Sequence, residues 1–372
     1  MNERKNAALT VAFLCAIILI FMVADFLTKD RLFSDTENRM LAQKPKLTSE
    51  GLVSGKYMED YEAYVTDQFV ARDTWVELKT RGDILLQKQE INGIYLGDDN
   101  YLIEQHLPQN VTQEQVDEKL ELLEKLVDKY DAKVMLVPTA DNILSDKLPD
   151  NAPYYDQTAL LSRVKETVGE DNFINVYDTL KEHAKEEIYY KTDHHWTTLG
   201  AYYGYQAWKK QTGSASVVRF DINNMTTVSE DFLGTLHSRI NLPHAEDEIR
   251  IFSETTLREP KITYDLVTTT NSYYEPKYLE TKNKYGYFLD DNHAFIEIET
   301  GYRRGRELIV IKDSYANCMV PLLANHYDKI YMVDLRYYNG TLAGLIDGYV
   351  TEKTDMLVLY DCIHFIEDFK YY

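Results

Sequence analysis

From about residue 112 onward, the chain alternates short apolar runs with amphipathic segments. Thr112 and Gln115 have the spacing of a capping box, and apolar residues recur after them at helical intervals, which predicts a helix. Short, mostly apolar runs predict strands at residues 133–138, 172–177, 308–312, 329–333 and 355–360, and helical patterns cover residues 158–168 and 198–210. Strands that alternate with helices predict an α/β domain with a mostly parallel central sheet.

Two regions depart from this alternation. Residues 91–105 alternate apolar and polar positions around Gly97-Asp98-Asp99-Asn100, which predicts a hairpin. Between about residues 216 and 300, segments rich in Tyr, Thr and Asn show no clear helical spacing, so we expect a β-rich insertion that could form one wall of a binding site. The α/β domain is therefore expected to cover residues 89–372, with the insertion inside it.

The N-terminal part carries one long apolar run, residues 7–24, preceded by Arg4 and Lys5. At 1.5 Å per residue a helix over this run is about 27 Å long, close to the roughly 30 Å of a hydrocarbon core. Asp25 follows the run directly, so the small-residue site of a cleaved signal peptide is missing and we interpret the run as an uncleaved signal anchor. With basic residues before the run, we expect a cytoplasmic N-terminus at residues 1–6, a transmembrane helix at 7–27, an extracytoplasmic neck at 28–88 and the α/β domain beyond it.

Charge and cysteine content narrow the possible functions. The 372-residue chain has a net charge of −21, which argues against nucleic acid as a partner and is most simply a solvated acidic surface. Cys15 lies in the apolar run, and the two remaining cysteines are too few for a fold that depends on disulfides. The 30 tyrosines could offer ring surfaces to sugars or could fill half-buried strand positions.

Residues 192–197, Thr-Asp-His-His-Trp-Thr, place a carboxylate and an imidazole two positions apart. In an extended backbone such side chains point the same way, so Asp193 and His195 can meet while His194 faces away. An orienting acid beside a general base requires a nucleophile from elsewhere. Ser314 is the candidate, because it lies where the apolar strand ending at Lys312 turns into a helix. The acid, the base and the serine together predict an esterase or acyltransferase site.

Each of these residues also has a simpler explanation. Ser314 could be only a helix cap, a common role for serine. Asp193, His194 and His195 could form a capped loop or a metal site, because Asp and His ligands suit zinc and similar ions. No His-x-x-x-His pattern and no cysteine cluster in the sequence supplies further ligands, so we expect neither a metal nor another cofactor.

Four residues near the predicted strand ends are candidates for substrate binding, because ligands of open α/β sheets bind at the carboxyl ends of the strands. Arg336 could orient an anionic or hydroxyl-rich substrate, or could form a salt bridge with Asp334. The amide of Asn142 could complete an oxyanion hole. Tyr315 directly follows the nucleophile, where its backbone N–H could hold a developing oxyanion. Trp196 could either buttress the base or contact a sugar.

At these residues the chain resembles the DHHW family, named for the tetrapeptide Asp193-His194-His195-Trp196. That family is related to the alginate O-acetylation proteins of the SGNH-hydrolase-like superfamily. The tetrapeptide and Lys312-Asp313-Ser314-Tyr315 are the specific parts of the resemblance. Supporting segments are Glu37-Asn38-Arg39 with Leu41-Ala42, Asn92-Gly93-Ile94-Tyr95-Leu96-Gly97, Val137-Pro138-Thr139, Asp231-Phe232-Leu233-Gly234-Thr235 and Asp334-Leu335-Arg336.

The resemblance implies a three-layer SGNH-hydrolase-like fold and a catalytic triad of Asp193, His195 and Ser314, in a chain order that is permuted as in the alginate proteins. It also implies O-acetyl transfer to an extracellular polysaccharide, with the acetyl group supplied across the membrane by a membrane-bound O-acyltransferase. We therefore expect a membrane-anchored extracytoplasmic O-acetyltransferase. The alternatives are a glycan acetyl-esterase with the same triad and a non-catalytic glycan-binding scaffold of a polysaccharide export assembly.

Overall fold

The computed structural model of the protein describes residues 2–34, 36–215, 218–242, 244–253, 257–338 and 340–370. The chain divides into two compact units. The smaller comprises Met1–Lys88 with Ser238–Pro243, and the larger comprises Gln89–His237 with His244–Tyr372. The larger unit contains the residues that the sequence identifies as candidates for chemistry.

The smaller unit begins with a long apolar helix, α1 (Asn2–Leu27). Its stretch Lys5–Leu27 has 23 residues and contains an 18-residue window with a mean hydropathy of 2.9 and no buried residue, so by length and composition it could cross a membrane. A signal sequence near an N-terminus has the same properties. The other elements of this unit are β1 (Phe33–Ser34), β2 (Arg39–Met40), α2 (Ser49–Ser54), α3 (Lys56–Gln68) and α4 (Arg72–Leu85).

Charged side chains hold the β1–β2 turn against α3. Arg39 donates to the two carboxylate oxygens of Asp67 at 2.6 and 2.8 Å and to Glu37 at 2.6 Å. Asp67 also accepts the backbone N–H of Ala42 at 2.8 Å. The hydrogen bond from Arg39 is the main cause of a pKa of Asp67 below its usual value. The Glu37-Asn38-Arg39 segment is therefore explained by packing within this unit.

The larger unit opens with a small antiparallel sheet of β3 (Glu90–Ile91), β4 (Ile94–Leu96) and β5 (Leu102–Glu104). A short turn at Asp98–Asn100 connects β4 to β5, which confirms the predicted hairpin. Two strands further along the chain, β7 (Met225–Phe232) and β8 (Asp247–Phe252), form a separate antiparallel pair.

A mixed central sheet organises the larger unit and has seven strands among the described residues. Their spatial order is β10 (Thr268–Thr270), β9 (Lys261–Tyr264), β11 (Phe295–Glu299), β13 (Lys329–Asp334), β12 (Glu307–Lys312), β14 (Thr354–Asp361) and β6 (Lys133–Val137). The last four run parallel to one another, whereas β11, β9 and β10 pair antiparallel. The fold is therefore mixed α/β with a parallel centre, as the alternation of strands and helices predicts.

The first helix of the larger unit is α5 (Gln113–Tyr130), where the predicted capping box of Thr112 and Gln115 is present. The helices that follow along the chain are α6 (Ala140–Ile143), α7 (Gln157–Val168), α8 (Tyr177–Glu182), α9 (Thr198–Thr212), α10 (Thr235–Ile240), α11 (Ala316–Leu323), α12 (Leu342–Ile346) and α13 (Cys362–Asp368).

Alternate residues of the parallel strands enter two separate apolar cores. On β6, Met135 and Val137 belong to the core that includes α9 and α11, whereas Val134 and Leu136 belong to the core that includes α5, α7 and α13. All four side chains are fully buried. The central sheet is thus covered on both faces, which gives the larger unit three layers.

Two regions differ from the expected strand pattern. Among the described residues, 172–177 contribute one bridge, from Phe173 to Val134, and α8 already begins at Tyr177, where the side chain of Asn175 accepts the N–H of Asp178. In the region 216–300, of which 216–217, 243 and 254–256 lie outside the described residues, β9, β10 and β11 belong to the central sheet. Antiparallel neighbours need no helix between them, so this part of the sheet carries no helical signal.

The carboxyl ends of the four parallel strands lie at one edge of the sheet. Beyond β6 comes Thr139, beyond β12 comes Ser314, beyond β13 comes Arg336, and β14 ends at Asp361. This edge is where ligands of open α/β sheets bind.

Candidate active site

Asp193, His195 and Ser314 are joined by two hydrogen bonds at this edge. Nδ1 of His195 lies 2.6 Å from Oδ1 of Asp193, and Nε2 of His195 lies 2.8 Å from Oγ of Ser314. All three residues are buried, although Ser314 is 119 positions from His195 along the chain. The structure brings together the residues that the sequence identifies as acid, base and nucleophile.

The segment that carries Asp193 and His195 is bent rather than extended. Oδ1 of Asp193 accepts the backbone N–H of His195 at 3.1 Å, which closes a turn of the Asx type. The contact between Asp193 and His195 is therefore present, but the prediction that an extended backbone produces it is wrong. His194 does not face away either, because its ring centroid lies 3.9 Å from that of His195 and its Nδ1 lies 2.8 Å from Oγ1 of Thr235.

The second carboxylate oxygen of Asp193 is held at the start of α10. Oδ2 accepts the N–H of Thr235 at 2.8 Å and the hydroxyl of Thr235 at 3.0 Å. Gly234 makes this approach possible, since a Cβ there would lie 2.4 Å from Oδ2. Burial by itself would raise the pKa of Asp193, but the neighbouring His194 and His195 and these donors hold that pKa well below its usual value. The carboxylate is thereby kept ionised beside the imidazole.

Tyr285 covers the face of His195. The two rings are stacked, with centroids 3.7 Å apart and an angle of 9° between the planes. The Tyr285 hydroxyl also donates to the backbone carbonyl of Ser314 at 3.1 Å, so one side chain contacts both His195 and the turn that carries Ser314. Nothing in the sequence separates this tyrosine from the 29 others, and sequence reasoning missed it.

The charge state of His195 suits a proton acceptor. Burial is the main cause that lowers the pKa of His195 to about 4, and the charge of His194 acts in the same direction. Asp193 opposes this shift without reversing it. The imidazole is therefore neutral at pH 7, and because Nδ1 faces a carboxylate, Nε2 carries the lone pair that faces Ser314.

The turn that carries Ser314 connects β12 to α11. Oδ1 of Asp313 accepts the N–H of Tyr315 at 2.8 Å, and Oδ2 accepts the N–H of Asp361 at 2.6 Å, so Asp313 ties this turn to the end of β14. The N–H of Tyr315 is therefore engaged, which corrects the expectation that it could hold an oxyanion. The N–H of Ser314 has no hydrogen-bond acceptor within the described ranges of the chain.

Trp196 and Tyr315 tie the Asp-His segment to the turn of the nucleophile. The indole N–H of Trp196 donates to the backbone carbonyl of Tyr315 at 2.9 Å, and the Tyr315 hydroxyl donates to the backbone carbonyl of His194. Both aromatic side chains are fully buried. A buried indole offers no surface to a sugar, so the position of Trp196 is that of a buttress and not that of a sugar platform.

Asn142 and Arg336 lie at the same edge but are engaged by other groups. The buried Asn142 donates to Asp141 at 3.0 Å and accepts the N–H of Gln157 at 2.9 Å. Arg336 donates to Asp334 at 2.7 and 2.9 Å, which is the salt bridge considered as the alternative. A role in substrate binding stays a prediction for both residues.

A second aspartate–histidine pair lies at the end of β14. Nδ1 of His364 contacts Oδ2 of Asp361, and Oδ1 of Asp361 accepts the backbone N–H groups of Ile363 and His364 at 2.8 and 2.9 Å. The charge of Asp361 raises the pKa of His364 to about 10, so this imidazole is a cation at pH 7. Burial, followed by the charge of Asp361, raises the pKa of Asp313 to about 7. Sequence reasoning missed this pair.

Among the residues that the structure describes, two groups of side chains have donor atoms close enough together for a metal ion. They are Asp193 with His194 and His195, and Asp313 with Asp361 and His364. Carboxylate and imidazole ligands suit zinc. In the first group, however, both ring nitrogens of His195 already face hydrogen-bond partners, Asp193 and Ser314, so metal binding there would disrupt the series of hydrogen bonds.

A cleft of about 250 Å³ opens beside His194. We call it the histidine cleft, after the histidines in its wall. Within it, Nδ1 of His106 lies 3.0 Å from Oδ2 of Asp141. The lining includes the histidines His106, His194 and His364, the carboxylates Glu104, Asp141, Asp361 and Glu367, and the apolar residues Leu107, Val111, Leu236, Ile363 and Ile366.

A parallel sheet with serine, histidine and aspartate side chains hydrogen-bonded in series at its carboxyl edge places the larger unit in the class of α/β proteins with a site beyond the strand ends. The chain belongs to the DHHW family, since the family model described as DHHW protein matches residues 90–333. That match includes the tetrapeptide and Ser314. No curated protein matches the sequence.

The fold is shared with solved structures. A DHHW family protein from Eubacterium siraeum is 21% identical with a TM-score of 0.61, over 76% of this chain and 97% of that one. Bacillus cereus PatB1 with a sulfonyl adduct is 20% identical with a TM-score of 0.58, over 74% of this chain and 100% of that one. The O-acetyltransferase domain of Pseudomonas putida AlgJ is a more distant neighbour, with 13% identity and a TM-score of 0.45 over 75% and 94% of the two chains.

Proposed function

We propose that the protein is an O-acetyltransferase that moves an acetyl group onto hydroxyls of an extracellular polysaccharide. The observation that carries the proposal is the series of hydrogen bonds from Asp193 through His195 to Ser314, at 2.6 and 2.8 Å. The resemblance to the alginate O-acetylation proteins supports the choice of acetyl group and glycan. In this proposal the larger unit is a permuted SGNH-hydrolase-like domain.

The first half-reaction acetylates the serine. Oγ of Ser314 attacks the carbonyl carbon of an acetyl donor while Nε2 of His195 takes the hydroxyl proton. The bond between the acetyl group and the donor then breaks, and His195 returns the proton to the leaving atom. Asp193 holds Nδ1–H throughout, which keeps Nε2 as the proton acceptor. The N–H of Ser314, for which no acceptor is found among the described residues, would donate to the developing oxyanion.

The second half-reaction releases the acetyl group onto the acceptor. A sugar hydroxyl gives its proton to Nε2 of His195 and attacks the acetyl carbonyl carbon. Oγ of Ser314 leaves and recovers the proton, so the enzyme returns to its starting state. The low pKa of His195, about 4, keeps the base neutral and competent across the neutral pH range.

Two alternative functions differ from the proposed O-acetyltransferase in the acceptor that they use or in their need for Ser314. A glycan acetyl-esterase would use the same three residues with water as the acceptor. A glycan-binding scaffold would depend on exposed aromatic rings and not on Ser314. The complete burial of Trp196 and Tyr315 beside Ser314 disfavours the scaffold at this site, because neither ring can stack on a sugar.

One incubation separates the three functions. The full chain is mixed with a chromogenic acetyl ester, with and without an oligosaccharide acceptor, and both acetate and acetylated sugar are quantified. A transferase yields acetylated sugar, an esterase yields acetate only, and a scaffold releases no chromophore above the Ser314→Ala background. In parallel, an aryl sulfonyl fluoride should label Ser314, as located by peptide mass spectrometry; label elsewhere would contradict the assigned nucleophile.

We further propose that α1 is an uncleaved anchor, with the rest of the chain outside the cell membrane and within reach of a membrane-bound O-acyltransferase that supplies acetyl groups. The length and hydropathy of Lys5–Leu27 support the anchor. Protease added to intact cells should digest the exported part and leave a small membrane-held N-terminal fragment. Recovery of a soluble chain that starts near Asp25 would instead indicate cleavage of a signal peptide.

A further inference from the structure

The proposed mechanism does not say where the acceptor binds. The histidine cleft adjoins the residues of that mechanism. His194 forms part of the cleft wall, and its ring lies 3.9 Å from the ring of His195. Tyr315, which directly follows Ser314, backs the same wall. The cleft is thus lined by the residues that adjoin His195 and Ser314 in the chain, although neither of these two residues is part of the lining.

Negative charge dominates the polar lining of this cleft. Four carboxylates line it, and its lining within the described residues contains neither lysine nor arginine. Even with all three histidines of the cleft protonated, the carboxylates would outnumber them. Asp141 and Asp361 are buried and paired with His106 and His364. Glu367 is exposed and lies at the accessible side of the cleft, although partial burial raises the pKa of its carboxyl above the usual value.

This lining suits a neutral sugar better than an acidic one. Carboxylates accept hydrogen bonds from sugar hydroxyls, and the side-chain amides of Gln105 and Gln115 add donors and acceptors. Half-buried apolar side chains such as Leu107 and Val111 can contact the C–H faces of a pyranose. Sites that recognise carboxylate or phosphate groups use arginine or lysine, which this lining lacks. The net charge of −21 adds long-range repulsion of polyanions.

We infer that the histidine cleft binds the acceptor and that this acceptor is a glycan without negative charge. The inference rests on the proposed function, because it requires an acetyl group on Ser314. It adds the chemical class of the acceptor, which the family resemblance does not supply. A uronate or a phosphate in the cleft would lie among carboxylates in a partly dehydrated site, where repulsion is strongest.

The test compares two small acceptors that differ at one carbon. Methyl glucoside and methyl glucuronide are each added to the full chain with p-nitrophenyl acetate, and the ratio of acetylated sugar to acetate is measured. We expect the neutral sugar to capture the acetyl group about tenfold more often. Equal capture, or preference for the glucuronide, would overturn the inference. Capture of neither sugar would overturn the assignment of the cleft as the acceptor site.

The release of p-nitrophenol keeps this test separate from the proposed function. An initial burst of chromophore reports acetylation of Ser314 and needs no sugar. If the burst is missing, the proposed function fails; if the burst is present and the sugar preference is absent, only the acceptor inference fails.

Charge reversal at the accessible side of the cleft provides a second arm. Glu367→Lys should lower the preference for methyl glucoside over methyl glucuronide by about tenfold, and Glu367→Gln should lower it less. Glu166→Lys, on the exposed face of α7, makes the same charge change outside the cleft and should leave the preference unchanged. Thermal melts check that the variants are folded. The same preference in Glu367→Lys and in the wild type would overturn the role of charge in acceptor choice.

Discussion

The two aspartate–histidine pairs at the carboxyl edge of the sheet have the same chemical groups and opposite charge states. In both, Nδ1 of the histidine contacts an aspartate oxygen. The pKa of His195 is lowered to about 4, however, whereas that of His364 is raised to about 10. One pair therefore offers a neutral base at pH 7 and the other a fixed cation.

Burial explains the difference better than the carboxylate partner does. The side chain of His195 is 6% exposed and lies under the ring of Tyr285, and loss of water is the largest cause of its shift. The side chain of His364 is 28% exposed, and attraction to Asp361 exceeds the effect of burial there. A carboxylate beside a histidine thus does not by itself determine whether the ring is charged.

The largest expected effect on turnover is that of removing Ser314, the proposed nucleophile, to which the buried pair of Asp193 and His195 is hydrogen-bonded. Ser314→Ala should reduce acetyl-ester turnover by roughly 10⁴- to 10⁶-fold, because loss of a triad nucleophile leaves only binding and oxyanion stabilisation. Initial rates of chromophore release measure the effect. Ser162→Ala, which removes an exposed hydroxyl on α7, is the matched control and should retain full activity. Unchanged turnover in a folded Ser314→Ala variant would disprove the assignment.

The second prediction separates two adjacent histidines. His195→Ala should match Ser314→Ala, because only His195 contacts both the acid and the serine. His194→Ala should retain measurable turnover, since its ring contacts Thr235 and lies beside the base without joining the series. Equal and total loss in both variants would show that His194 is essential. Restoration of chelator-treated enzyme by added metal would then identify it as a ligand, whereas we expect chelators to have no effect.

A smaller loss of turnover is expected when the carboxylate of Asp193 is displaced but not removed. In Gly234→Ala the new Cβ would lie 2.4 Å from Oδ2 of Asp193, so the carboxylate must move. We expect turnover to fall by roughly 10- to 100-fold, since a shift of about 1 Å in a catalytic group can cost that much. Gly348→Ala, whose Cβ would meet no atom within 4 Å, is the control. Full activity of Gly234→Ala would mean that the position of Asp193 is not critical.

The smallest expected effect is electrostatic and links the two pairs. The positive charge of His364 is one cause of the lowered pKa of His195, so His364→Gln should raise that pKa. Because His195 must be unprotonated to act, the acid limb of kcat/KM against pH should move to higher pH. His183→Gln is the control, because His183 has the same 28% exposure and a carboxylate three residues away, but its ring stacks on Tyr203 and it is not among the groups that shift the pKa of His195. A limb that stays in place in His364→Gln would show that the pairs are uncoupled.

The sequence allows the centre of the fold and the centre of the candidate site to be predicted for a simple reason. The parallel strands are buried on both faces and therefore read as continuous apolar runs, and the polar residues that directly follow them lie at one edge. The run that ends at Lys312 carries this signal for Ser314, whereas the Asp-x-His segment follows no strand of the central sheet and is recognised by its residue types. The approach of Asp193 to His195 was expected for the wrong reason, since a side-chain turn and not an extended backbone produces it.

What the sequence does not reveal depends on contacts between distant residues. Tyr285 is stacked on His195, and His364 shares the histidine cleft with His106, yet each is an ordinary residue in its local sequence. No alternation with helices marks strands β9 to β11 in the sequence as part of the central sheet. Cys318 and Cys362, which the sequence leaves open as a pair, are both buried free thiols.

The order of strands in the central sheet also governs when the site can form. β6, which is made early, pairs with β14, the last strand along the described part of the chain, and β12 lies on the other side of β14. A chain emerges from the ribosome N-terminus first, so Asp193, His195 and Ser314 are all made before β14, the strand that lies between β6 and β12. Such non-local pairing makes folding slow. The sheet edge beyond which the site lies would therefore be completed only when β14 pairs, and a nascent chain that ends before β14 would lack the strand between β6 and β12.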